Sequence, residues 1–257
     1  MKTLDLNCDM GEGFGVYAMG DDEALLEFVN SSNIACGFHA GDPGTMARTV
    51  RAAAARGVAI GAHPGLADLQ GFGRRAMAIT PSEAYDLVVY QVGALQGVAA
   101  AAGARVRHVK THGALDNMAV VDEKLSEAIC RAVRDVDASL LFYAMSGSIT
   151  ARVARGLGLR VVSVVYADRS YQDDGTLTPR RQEGAMITDL RQSVAQVRDM
   201  LERGFVRARS GREVPIEAQA LSLHGDQPGA LAFASGLTQA LRDGGVTLAA
   251  ASPAALA

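Results

Sequence analysis

The sequence predicts an α/β fold, an incomplete or distorted (β/α) barrel of about seven parallel strands, and three observations lead there. Short apolar runs of strand length alternate with longer stretches of helical period, as repeated βα units do. Residue parity sorts the strand-like runs into an apolar row and a polar row. No G-x-G-x-x-G turn follows the first strand, which weighs against an open dinucleotide-binding sheet. The 257 residues, 49% hydrophobic, can build one large core, and no linker rich in Pro, Gly or Ser divides them. We expect one barrel domain over residues 1–248 and a flexible Ala-rich tail over 249–257.

The first strand, near 3–8, sets Leu4, Leu6 and Cys8 against Asp5, Asn7 and Asp9, and a helix near 21–29 follows. The second, near 32–38, sets Ile34, Cys36 and Phe38 against Asn33, Ala35, Gly37 and His39; Asp42 and Pro43 then open a helix near 43–56. The third, near 58–62, opposes Val58, Ile60 and Ala62 to Ala59, Gly61 and His63. Thr80 as N-cap, Pro81 at the first helical position and Glu83 at the capping-box position start a helix near 81–103. The fourth strand, near 106–110, puts Val106, His108, Lys110 and the following His112 on one face, before a helix near 122–136. The fifth and sixth lie near 139–143 and 160–166, with helices near 147–156 and 187–204. The seventh, near 219–223, opposes Leu221 and Leu223 to Ser222 and His224, and a last helix runs near 228–243.

In a parallel barrel the outer row packs under helices and must be apolar, so the polar row points inward. Active sites of such barrels form at the C-terminal strand ends, where Asp9, His39, His63, Lys110, His112 and His224 all fall. Four of the five histidines share this position, each followed within two residues by Gly, and Lys110 is one of only three lysines. Asp9, His63 and His112 are candidate ligands for a divalent metal such as zinc, with His224 or Asp226 left for acid or base work. The same groups suit metal-free general acid–base catalysis with Lys110 as electrophile. "HPGLADLQGFGRR" puts Arg74 and Arg75 where a fork could clamp a substrate carboxylate, and "YADRSYQDDGTLTPRR" brings Asp168 and Arg169 after the sixth strand. Gly-rich turns such as "GDPGT" could hold phosphate, although no P-loop occurs.

Other classes are excluded or disfavoured. A net charge of -3 without a basic stripe argues against nucleic acid as a partner. No apolar stretch reaches membrane-spanning length and "MKTLDLNCDMGEG" lacks an apolar signal core, so a cytoplasmic location is expected, with no membrane partner. Cys8, Cys36 and Cys130 read as small buried hydrophobes. No G-x-S-x-G elbow supports an acyl-enzyme serine hydrolase.

"DLNCDMGEGFG", "SSNIACGFHAGDP", "GVAIGAHPGLADLQGFGRR", "HVKTHGALDN", "YADRSYQDDGTL" and "LHGDQP" occur in one order over residues 4 to about 245, and there the chain resembles the LamB/YcsF family of prokaryotic 5-oxoprolinase A subunits. The resemblance implies ATP-dependent opening of 5-oxo-L-proline to L-glutamate, with ATP as co-substrate and subunits B and C as partners. It also implies kinship with the glycoside hydrolase/deacetylase barrels, and Asp9, His63 and His112 match the metal trio of the metal-dependent carbohydrate deacetylases. Catalytic roles are expected for Asp9, Lys110, His112, His224 and Asp226, and substrate contacts for Asn7, Glu12, His39, Asp42, Arg74, Asp168 and Arg169. The alternatives are a self-sufficient metal-dependent amidase or deacetylase and a non-catalytic lactam-binding subunit; a homo-oligomer is left open. The chain departs from the family pattern at Thr111, usually Pro, at Asp116, usually Tyr, and at Val164, usually Glu.

Overall fold

A computed structural model describes residues 2–223 and 229–255. Seven parallel strands close a barrel: β1 (Thr3–Met10), β2 (Ser31–Ala35), β3 (Ala59–His63), β4 (Val106–Lys110), β5 (Leu141–Met145), β6 (Arg160–Tyr166) and β9 (Ala220–Leu223), with β9 pairing back onto β1. A short parallel strand β10 (Thr247–Leu248) lies beside the start of β1. β7 (Phe205–Arg207) and β8 (Glu213–Pro215) form a separate antiparallel hairpin.

Helices run between the strands: α1 (Asp22–Leu25), α2 (Pro43–Ala55), α3 (Pro81–Ala101), α4 (Gly113–Ala119), α5 (Glu123–Asp137), α6 (Ile149–Gly156), α7 (Leu190–Arg198) and α8 (Ala230–Asp243). The cap of α3 is the one its sequence encodes: Thr80 Oγ1 accepts from Glu83 N and the Glu83 carboxylate accepts from Thr80 N. Asp42 caps α2, accepting from the Gly44 and Thr45 amides. α7 continues into a π turn over Asp199–Arg203, completing the long helix expected near 187–204. α4, the β7–β8 hairpin and β10 carry no strong periodic signal and are additions to the expected elements.

The parity argument holds inside the barrel. Leu4, Leu6 and Cys8 are buried in the hydrophobic cluster, while Asp5, Asn7 and Asp9 meet polar partners from other strands. The Tyr143 hydroxyl of β5 donates to Asp5 of β1 at 2.5 Å, a contact that only the barrel interior allows. Strand β2 is shorter than expected. It ends at Ala35, because Gly37 at φ +88° turns the chain and donates to Ala40 O, so a turn and not strand alternation delivers His39. All three cysteines are buried and free. The segment expected to be a tail begins with contacts to the barrel: Ala249 N donates to Leu4 O and Ala251 N to the Asp5 carboxylate. Among the described residues no helix is long and apolar enough to cross a membrane.

Candidate active site

At the C-terminal strand ends the chain gathers Asp9 and Glu12 from β1 and its loop, His39 from the turn after β2, His63 ending β3, Lys110 ending β4, and His112 capping α4. All six are buried. Glu12, His39, His63 and His112 each offer one ligand atom, all within 4.8 Å of one another. Three imidazoles meet ring to ring: His39 stacks on His112 at 3.8 Å, nearly parallel, and His63 stands edge-on to His112 at 4.8 Å.

Asp9 belongs to a different contact set. Lys110 Nζ donates to both Asp9 oxygens, at 2.9 and 3.1 Å, and Asn33 Nδ2 donates to Oδ1 at 2.7 Å. Of the expected metal trio Asp9, His63 and His112, the two histidines fall in the cluster of candidate ligand atoms, which Glu12 and His39 complete. Asp9 Oδ2 remains 3.4 Å from His63 Nε2. Burial lowers the Lys110 pKa, but the Asp9 charge and hydrogen bonds outweigh it and hold the ammonium above its ordinary value. Burial, with neighbouring imidazoles, pushes His39 and His112 well below the usual histidine range, so both rings are neutral at pH 7.

Beneath the site runs a buried polar column. Asn33 exchanges hydrogen bonds with Asn7, Asn7 donates to Ser31 Oγ at 2.7 Å, and Ser31 donates to Asp5 at 2.8 Å. Asn7 thus lies one layer below Asp9. His108 Nε2 meets Asn33 Oδ1 at 2.8 Å while its ring stacks on Tyr143, which makes it a histidine of the barrel core.

The loop over residues 64–75 covers the histidines. Phe72 O accepts from His112 Nε2 at 2.9 Å, and the Phe72 ring stands edge-on to His39 and His112. Phe72 has φ +54°, in the left-handed region that a side chain adopts at a cost. A methyl group on Gly65 or Gly73 would overlap His39, so the glycine spacing reflects how closely this backbone approaches the rings. Arg74 lies over the Phe72 ring at 4.7 Å, and Arg75 pairs with Asp68.

The remaining expected residues lie further out or elsewhere. Asp42 caps α2 and also accepts from Gly15 N at 2.9 Å; these amides hold its carboxyl well below the usual range. Arg169 donates to Thr178 O and Ala185 O, tying down the loop after β6, and Asp168 in the same loop accepts from Ile187 N through its carbonyl. Val164 is buried on β6. His224 and Asp226 lie outside the described residues. Sequence reasoning puts Glu12 among substrate contacts and not with the ligands, because it lies beyond β1 where strand parity no longer predicts direction. Two positions where the sequence reading expects departures from the family pattern meet each other: Thr111 Oγ1 donates to Asp116 Oδ1 at 2.6 Å.

The LamB/YcsF family profile matches residues 4–255. The chain belongs to the LamB/YcsF family. A member from Bordetella parapertussis, named as the A subunit of 5-oxoprolinase, is 61% identical over 249 residues, covering 97% of this chain and 99% of that protein. The crystal structure of the lactam utilization protein from Thermus thermophilus superposes with a TM-score of 0.92 at 42% identity, over 98% of this chain and 100% of that one. A likeness in fold alone extends to the polysaccharide deacetylase Bc1974 from Bacillus cereus, with a TM-score of 0.50 at 14% identity over 99% and 94% of the two chains.

The donor set fits a metal. His39 is fully buried, and neither of its ring nitrogens has a hydrogen-bond partner among the described residues. Imidazole and carboxylate donors suit a divalent transition metal.

Proposed function

We propose that this chain acts in 5-oxoproline metabolism, opening the lactam ring to L-glutamate in an ATP-coupled reaction as the A component of a complex with subunits B and C. One observation carries the reading: a buried Asp–Lys pair and a Glu–His cluster line the barrel mouth of a chain 61% identical to a 5-oxoprolinase component.

A lactam carbonyl is a poor electrophile and the five-membered ring recloses readily, so transfer of a phosphoryl group from ATP to the amide oxygen makes the carbon attackable. Water then adds to that carbon and the C–N bond breaks as the ring nitrogen takes a proton, giving an acyl phosphate that a second water hydrolyses to L-glutamate and inorganic phosphate, with ADP the other product. The Asp9 carboxylate, held by Lys110, is the group placed to orient and deprotonate the water. His112, whose Nε2–H donates to Phe72 O, serves as a candidate cation ligand and not as a base. The Lys110 ammonium faces negative charge developing on oxygen. A cation held by Glu12, His39, His63 and His112 would polarise the carbonyl. Arg74, beside the rings on the covering loop, is the candidate for the substrate carboxylate. The expected acid pair, His224 and Asp226, lies outside the described residues. Exposed Phe14, Val16, Tyr17 and Met19, on the loop after Glu12, offer partner subunits apolar surface to cover.

Asp9→Ala and His112→Ala should each lower 5-oxoproline-dependent ATP hydrolysis by the reconstituted complex at least about 100-fold while circular dichroism is unchanged. Full turnover by both folded variants would reject the site. The Glu–His cluster favours one second reading, a metal-dependent amidase. That reading requires amide hydrolysis by the isolated chain without ATP.

A further inference from the structure

Hydrogen bonds at the two ends of the His63–His112 pair decide where the ring protons sit. His63 Nδ1 lies 2.7 Å from Lys110 O, and His112 Nε2 lies 2.9 Å from Phe72 O. A carbonyl oxygen only accepts, so both of these nitrogens carry hydrogen. In neutral rings the other two nitrogens, His63 Nε2 and His112 Nδ1, are then lone pairs, yet they face each other at 3.0 Å. Two lone pairs at that separation repel unless positive charge lies beside them.

A third proton would serve that one contact. It would do nothing for His39, which is 0% exposed with neither nitrogen hydrogen-bonded among the described residues. One metal ion serves all three imidazoles. The spacing suits it: donors about 2.0 to 2.1 Å from a tetrahedral zinc lie roughly 3.3 Å apart. Here the facing nitrogens are 3.0 Å apart, and Glu12 Oε1 is 3.7 Å from both His39 Nε2 and His112 Nδ1. The carbonyls of Lys110 and Phe72 then act as the outer partners that fix the tautomer of ligating histidines. Asp9 is otherwise engaged, since Lys110 donates to both its oxygens and Asn33 to one.

We propose that Glu12, His39, His63 and His112 bind one transition-metal ion, His63 through Nε2 and His112 through Nδ1, and that Asp9 is not a ligand. Three imidazoles select a metal of the zinc, cobalt or nickel kind over magnesium or calcium, which prefer all-oxygen sets. The same hydrogen bond makes the loop over residues 64–75 part of the site, because Phe72 O holds His112 in the tautomer that ligates.

The test needs no substrate, so its failure is separable from failure of the ring-opening reading. Full-length protein stripped with a chelator and titrated with cobalt(II) should bind one equivalent, read by elemental analysis and by visible absorption of the coordinated ion. Glu12→Gln and His39→Ala should each weaken binding at least about tenfold, while Asp9→Asn should stay within about threefold of wild type. Circular dichroism on each variant separates lost ligation from lost folding, and His39→Gln replaces His39→Ala if the latter does not fold. Absence of cobalt binding by the folded wild-type chain overturns the proposal. So does binding lost in folded Asp9→Asn but kept in Glu12→Gln, which would restore the Asp9 trio.

Discussion

Thr111 and Asp116 show how one residue's role depends on another. Each is a position where the sequence reading expects a departure from the family motif, and a 2.6 Å hydrogen bond joins Thr111, just after β4, to Asp116 in the first turn of α4. Burial raises the Asp116 pKa, and the Thr111 hydroxyl partly offsets this. A hydroxyl donating to a buried carboxyl is worth about 1 kcal/mol, and removing either partner strands the other. Thr111→Val and Asp116→Asn should each destabilise by about 1 kcal/mol, and the double variant by clearly less than the sum. Urea unfolding of the four proteins measures this, and strict additivity would show that the pair is not coupled. The sequence displays both substitutions; that they touch is a fact of three dimensions.

Among the elements, glycines separate those that make room from those that do not. Gly61 in β3 faces the barrel interior, and a methyl group there would overlap the His108 ring. That ring is held by Asn33 and stacked on Tyr143, so it has nowhere to move. Gly61→Ala should cost about 3 kcal/mol or leave no folded protein. Gly93 in α3 is exposed, with nothing within 4 Å of an added methyl, and Gly93→Ala should stabilise by about 0.5 to 1 kcal/mol. Thermal unfolding compares the two, and equal effects would contradict the packing described. The seven strands and most helices are legible in the chain because strand parity and caps are local signals. α4 and the β7–β8 hairpin are not, since α4 is short and follows directly on a strand end, and the hairpin lacks a two-residue turn signature.

Across the whole molecule, polar groups inside the barrel tie stability to pH. Burial, with the Lys110 charge adding, pushes His108 down to about 3 from an ordinary 6.5. The unfolded chain therefore binds a proton that the folded chain refuses between those values. This contribution is absent above about pH 6.5, and stability falls as pH drops through the window, by about 1.4 kcal/mol per unit at full slope. His39 and His112, also held low, act in the same direction. Denaturant midpoints from pH 8 to 4.5 should fall on acidification, and His108→Gln should flatten the fall; an unchanged slope would remove His108 from the account.

Neighbouring residues alone dictate the repeated βα units, their polar rows, and the placing of Asp9, His63, Lys110 and His112 at or just after strand ends, because strand alternation and helix capping are local patterns. How those groups divide is settled in three dimensions. Closure of the barrel brings Lys110 onto Asp9, 101 residues away, and neutralises it there. A turn beyond β2 and a loop beyond β1 bring His39 and Glu12 to the two histidines instead. Partner choice among buried charges depends on separations of a few ångströms, and no spacing along the chain records them.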